Sequence, residues 1–257
     1  MQEFRYFDAH VHLDWFDGAA AVAREAQELG LGMFACTVEP EGFAAAQDLV
    51  AEKNVFLAAG FHPWWVSKDE ATNSQKLEAA LAAIETTRWV GEIGLDFGKK
   101  HAGTKDEQVR VFKALCEKCA ASSEADVPKV LSIHSVAAAD CALDILEETG
   151  AASKCRCVFH WFSGTSAELA RARDLGLWFS FGERSLSTRR GREYARQVPP
   201  SRLLTETDFP EGPSSQMTAA DILASLKASV AALAATRGES EDRMQVLLAE
   251  NAHHLVC

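Results

Sequence analysis

The chain lacks any uninterrupted apolar run approaching the ~20 residues of a membrane span. Its opening residues, MQEFRYFDAH, have neither the basic start nor the apolar stretch of a secretory leader. A cytoplasmic location with no membrane partner is the expectation. Positive charge is short as well: 26 basic residues face 37 acidic ones, for a net charge of −11. That balance argues against a protein that grips long stretches of nucleic acid, so an anionic substrate would need a local positive site. No GxGxxG follows the first apolar run, which removes the signature of a dinucleotide-binding open sheet. No linker, low-complexity tract or break in composition appears. Residues 1–257 therefore read as one domain, with no obligate protein partner evident. The seven cysteines are odd in number and scattered, which disfavours a disulfide framework. Cys116 and Cys119 form a CxxC, and Cys155 and Cys157 a CxC. Small apolar packing residues are the plainer reading, and no metal is assigned to them.

What is present is a regular alternation. Apolar residues make up 47% of the chain, ample for a large core. Eight short runs rich in β-branched or aromatic residues read as strands: residues 6–13, 32–39, 55–62, 88–96, 129–135, 157–162, 177–182 and 202–209. Ala-rich segments with helical spacing, such as SQKLEAALAAIETT and EQVRVFKALCEKCAA, lie between them. Strands joined by crossovers of this length require a parallel sheet. Eight βα units in about 250 residues is the usual size of an α/β protein of the (β/α)8 TIM-barrel class.

The first run carries a contradiction. In FDAHVHLD, residues 7–14, Asp8, His10, His12 and Asp14 occupy alternate positions and would share one strand face. Carboxylates and imidazoles on a core face must be paired, hydrated or metal-bound. A barrel places chemistry at the C-terminal strand ends. There the sequence offers His10 and His12, then His62, Glu92 and Asp96, His134, His160, and Asp208. Imidazole with carboxylate is the donor set of zinc, manganese and related divalent ions. Six first-rank candidates are too many for one ion and about right for two. Taken singly, each histidine could be a hydrogen-bonded structural residue, and Asp208 could cap a helix.

The motifs FDAHVHLD, GFHPW, GEIGLDF, LSIHS, FHWFSG and LLTETDFP, in this order, resemble the TatD family of metal-dependent hydrolases within the amidohydrolase-like barrels. The resemblance implies a TatD-type deoxyribonuclease with exonuclease-like action, using two divalent ions (zinc, manganese or magnesium) and an activated water. It implies that His10, His12 and Asp208 hold one ion, and His134 and His160 the other. Glu92 would bridge both, and Asp208 would orient the water and accept its proton. Asp8, Asp14, Asp96 and Glu206 have the parity of partners that fix the imidazoles; ordinary buried ion pairing is the competing reading for each. DNA ends or a small phosphoester are the implied substrates. His62 would face the substrate. Lys99, Lys100 and His101 after the fourth run, and Arg184, Arg189, Arg190, Arg192 and Arg196 after the seventh, would favour a phosphate-bearing substrate, and Trp64, Trp65 and Trp161 would stack a terminal base. A solvated helix face explains any single arginine equally well, and rim packing explains the three tryptophans nearly as well.

The chain departs from the family after LSIHS, where Val136 and Ala137 stand, and after ETDFP, where EGPSSQM follows. The seventh-strand loop SFGERSLSTRRGREY also differs. All line the expected substrate side. The alternative is hydrolysis of a small-molecule amide, ester or lactone by the same centre. A scaffold that keeps its ions only for stability is a further one.

Overall fold

The structure is a computed structural model and describes residues 4–257. Its strands are β1 (Tyr6–Val11), β2 (Leu31–Cys36), β3 (Val55–Phe61), β4 (Trp89–Asp96), β5 (Val130–Val136), β6 (Arg156–His160), β7 (Trp178–Phe181) and β8 (Leu203–Thr205). They follow one another in chain order in an eight-stranded sheet, with helices between successive strands. This is the α/β alternation that the apolar runs predict. Six of the eight runs extend past the C-terminal ends of their strands; 88–96 ends with β4, and 129–135 stops one residue short of the end of β5. The polar residues there leave the ladder and turn, so Asp14 lies in a 3-10 turn, Leu13–Trp15, rather than on the β1 face.

Close contacts group the chain into two compact units. The first comprises residues 1–35, 45–57 and 179–257. Within it β1 pairs parallel with β2 (Tyr6↔Leu31, Asp8↔Met33), and β7 with β8 (Phe179↔Leu203). β8 also lies beside β1, where Thr205 Oγ1 donates to the Phe7 carbonyl at 3.1 Å. The helix Ala219–Arg237 starts from a capping box of Thr218 and Asp221 and ends at Gly238 in the left-handed conformation. By length and composition it could cross a membrane. Asp221, Lys227 and Arg237 interrupt its apolar residues, which is why the sequence shows no unbroken run. Its buried residues Ile222, Leu226 and Leu233 belong to a helix that packs on Glu241–Val256 and β1, as a core helix does.

The second unit comprises residues 36–44 and 58–178. β3–β4, β4–β5 and β5–β6 are parallel pairs, and in the β4–β5 register Gly94 lies opposite His134. The helices Glu70–Thr86, Lys105–Ser122, Ala139–Glu148 and Ser166–Asp174 belong to this unit. Cys116, Cys119 and Cys157 are buried free thiols, and burial pushes each of them up, away from the reactive thiolate. Among the described residues, no cluster able to hold a metal includes a cysteine.

Candidate metal centre

The first unit gathers His10, His12 and Asp208. His10 is in β1 and fully buried, and His12 follows the strand end. Asp208 is brought to them by backbone pairing past the end of β8. Its N–H donates to the His10 carbonyl at 2.9 Å, and the His12 N–H donates to the Phe209 carbonyl at 2.7 Å. Asp208 has φ 58°, a left-handed conformation that Asp tolerates better than most residues. Its Oδ1 lies 3.7 Å from His10 Nε2 and 3.5 Å from His12 Nε2. These gaps are too long for good hydrogen bonds. Two donors ~2.1 Å from one tetrahedral ion stand roughly 3.4 Å apart, so the spacing suits a shared ion. Trp15 stacks on His12 with ring centroids 4.5 Å apart, which fixes the imidazole.

The second unit gathers His62, Glu92 and His134. Glu92 Oε1 lies 3.0 Å from His62 Nε2, 2.8 Å from His134 Nδ1 and 2.8 Å from His160 Nε2. Three ring nitrogens crowd one oxygen, more than its two lone pairs accept from protons alone. A divalent cation is the chemistry that satisfies such a set, and the residues present fit one. Two glycines permit the approach. A Cβ at Gly60 would meet the Thr37 carbonyl oxygen at 1.7 Å, the same oxygen that accepts the Glu92 N–H at 2.8 Å. A Cβ at Gly94, φ 142°, would meet the His134 carbonyl oxygen at 2.1 Å.

His62 thus belongs with the ligand candidates by position, where the sequence reading faced it toward substrate. The signal for this was already in the spacing, since His62 follows β3 as His12 follows β1. Burial alone would lower the His134 pKa, but hydrogen bonds to Asp96 and Glu92 outweigh it and raise it to about 9.

The four acids assigned by parity divide. Asp96 Oδ2 lies 3.4 Å from His134 Nε2 and accepts the Trp64 indole N–H at 2.6 Å. Its partial burial would raise its pKa, yet the bonds from His134, Trp64 and the Gly98 N–H hold it well below the usual carboxylate range. Asp8 accepts the His10 N–H at 3.2 Å, the Thr207 N–H at 2.9 Å and the Thr207 hydroxyl at 2.5 Å. It therefore ties the ends of β1 and β8 together through backbone and hydroxyl. Complete burial pushes its pKa up to about 7. Glu206 accepts the Ser180 hydroxyl, linking β7 to the chain beyond β8. Asp14 Oδ1 is buried with no hydrogen-bond partner, and burial raises its pKa.

Arg189 and Arg190 are exposed in the first turn of the helix Arg189–Gln197. Arg192 is structural by contrast, donating to the Leu186 and Ser187 carbonyls at 2.8 Å each. Trp161 directly follows His160 with φ 39° and is 37% exposed. Backbone held in a sparsely populated region next to candidate ligands recurs at Trp161 and Asp208.

A barrel-class α/β chain with imidazole–carboxylate clusters at its strand ends has the donor set of a metal-dependent enzyme, and its relatives show which: a metal-dependent hydrolase. The TatD related DNase family matches residues 7–256, and the chain belongs to that family. It is 30% identical to the 3'-5' ssDNA/RNA exonuclease TatD of Yersinia pseudotuberculosis, over 74% of this chain and 72% of that protein. It is 25% identical to the human deoxyribonuclease TATDN3, over 82% of this chain and 80% of that protein. Among solved structures, the TatD homologue YJJV of Escherichia coli superimposes with a TM-score of 0.77 and 24% identity, covering 98% of each chain. This likeness shows the (β/α)8 barrel fold.

Proposed function

We propose that this chain hydrolyses phosphodiester bonds of DNA, working from strand ends, with two divalent ions, one for each cluster. The observation that carries the reading is Glu92 Oε1 within 3.0 Å of three imidazoles in a buried site of the second unit, together with the His10–His12–Asp208 set of the first. The names of the relatives support the substrate. When bound, such ions withdraw charge from a phosphoryl oxygen and make water a stronger acid.

The protein's own groups do the rest. His10 and His12 are held by the β1 backbone and by Trp15, and Glu92 by its N–H bond to Thr37. Asp208 is the least buried of its cluster, and its exposure supports a role in accepting the proton of the attacking water. Arg189 and Arg190 supply positive charge that the chain as a whole lacks. Zinc or manganese is the better match to imidazole donors, magnesium to the carboxylates.

The experiment is metal analysis of the purified protein, followed by a panel of DNA strands, simple phosphodiesters and neutral esters. Two ions per chain with DNA turnover is the expected result. Bound ions with turnover of neutral esters alone would overturn the phosphodiester reading. An ion-loaded protein idle on the whole panel would leave the centre a structural one.

A further inference from the structure

The segments following β3 and β4 carry charge of one sign. Residues 62–68, HPWWVSK, and 97–105, FGKKHAGTK, hold Lys68, Lys99, Lys100 and Lys105 and no acid, in a chain with 37 acidic residues. Both lie in the second unit, and they pack on each other. The Trp64 indole stacks on the His101 ring, with centroids 5.2 Å and planes 4° apart. Lys100 Nζ is 5.5 Å from the Trp64 ring centroid. The Lys68 side chain lies against Gly103, where a Cβ would meet its Cε at 3.2 Å. Among the described residues, Lys68, Lys99 and Lys100 form no ion pair with a carboxylate, whereas Lys76, Lys113 and Lys118 each do. Trp64 is 49% exposed, and Lys99 and Lys100 are exposed.

This patch is fastened to the metal centre. The Trp64 indole N–H and His134 Nε2 meet the same oxygen of Asp96, at 2.6 and 3.4 Å. The Asp96 N–H donates to Gln108 Oε1 at 2.8 Å, and Gln108 Nε2 donates to the His101 carbonyl at 3.2 Å and to Thr104 Oγ1 at 3.0 Å. Gln108 is fully buried. The lysine-bearing loop therefore cannot shift without disturbing Asp96, which touches a candidate ligand.

An exposed indole with the Lys100 ammonium 5.5 Å from its ring and the exposed Lys99 next to it in the chain, tied through Asp96 to the candidate metal centre, matches what single strands require: a face for a base and cations for phosphates. We propose that Trp64, Lys99 and Lys100 form a docking subsite for a nucleotide flanking the scissile phosphate of single-stranded DNA. The base packs against the exposed indole, and the two ammonium groups hold the adjoining phosphates. The subsite rests on the phosphodiesterase reading for its role, but its binding is measurable without turnover.

The test uses the full chain in EDTA, with a fluorescein-labelled oligothymidylate and an abasic strand of the same length. Trp64→Ala should weaken oligothymidylate binding about tenfold while the abasic strand binds as before. Trp64→Phe, which loses the bond to Asp96 but keeps an aromatic face, should restore most of that loss. The double variant Lys99→Ala/Lys100→Ala should weaken both strands. It should also reduce the slope of log Kd against log salt by about 1.4, two contacts at ~0.7 each. Unchanged oligothymidylate affinity in Trp64→Ala, an equal loss on both strands, or an unaltered salt slope would overturn the subsite. Tight strand binding with no turnover by the metal-loaded protein would refute the hydrolytic reading alone. DNA turnover with binding indifferent to Trp64 would refute the subsite alone.

Discussion

Asp208 meets His10 twice: its backbone N–H donates to the His10 carbonyl at 2.9 Å, while its carboxylate stops 3.7 Å short of the His10 imidazole. The backbone bond sets the register, and the side-chain gap is the width of an ion-filled contact rather than a hydrogen bond. The same separation of duties recurs in the second unit, where Thr37 holds the Glu92 backbone and leaves its carboxylate to three imidazoles.

Asp208→Asn keeps the size and the backbone bond but removes the acceptor of a proton. We expect kcat on a phosphodiester to fall by about 10²–10⁴-fold with far-UV circular dichroism unchanged. A loss of less than tenfold would remove Asp208 from the reaction.

Removing divalent ions should lower stability, because only the folded chain assembles the two clusters. At an ion concentration about 100 times Kd the linkage is ~2.7 kcal/mol per ion, or roughly 5–10 °C in Tm for each of the two in a domain of this size. Melting with and without EDTA, then after returning zinc or manganese, reads it directly. An identical Tm in all three would contradict the ligand assignment.

Gly60→Ala forces a Cβ to within 1.7 Å of the Thr37 carbonyl oxygen and 2.6 Å of the Glu92 nitrogen. Neither atom is the end of a flexible side chain, so the backbone must move. We expect a loss of about 3 kcal/mol in chemical denaturation, or failure to fold, and weakened metal binding in whatever folds. Gly176→Ala is the contrast, because its Cβ meets nothing within 4 Å, although its φ of 75° still strains an L residue. It should cost about 1 kcal/mol, with metal content unchanged.

Lys129 is a buried cation whose Nζ donates to the Ile84 and Thr87 carbonyls at 2.8 and 2.7 Å. Burial lowers its pKa below the ordinary 10.5. Between the folded value and 10.5 the unfolded chain holds more protons, so stability rises with pH there, and below the folded value, where both states are protonated, the contribution is flat. The difference in unfolding free energy between the native chain and Lys129→Met should therefore shift toward the native chain as pH increases through this window. A difference that stays flat with pH would refute the assignment.

Arg189→Ala with Arg190→Ala should reduce kcat/KM for a DNA strand by about tenfold at low salt, and by less as salt rises. Turnover of a neutral ester should barely change. Parallel losses on both substrates would indicate a structural role for the helix Arg189–Gln197.

The parity of Asp8, His10 and His12, with the recurrence of Glu92, His134, His160 and Asp208 at later strand ends, was enough to foresee the fold class and the ligand candidates. The same spacing puts His62 just past β3 without fixing its role. Its role depends on which nitrogen faces which oxygen after the chain leaves β3, and Nδ1 is taken by the Trp64 N–H at 3.0 Å, leaving Nε2 for Glu92. Asp14 shows the opposite limit. Alternation predicts a strand face only while the ladder lasts, and at Val11 the chain turns. Nor does spacing reveal that Asp8 serves Thr207, 199 positions away, or that Trp64 and His134 meet one carboxylate.

Local pattern determined what is local: which runs extend, which coil, and which types of donor stand at the strand ends, because alternation and helical spacing are written in neighbouring residues. Only the tertiary structure decided which donors converge, where Gly60 and Gly94 let backbones approach, and that the Trp64 indole packs on the His101 ring with the Lys100 ammonium beside it. Those outcomes depend on close packing between segments far apart in the chain, where an ångström separates a ligand from a bystander.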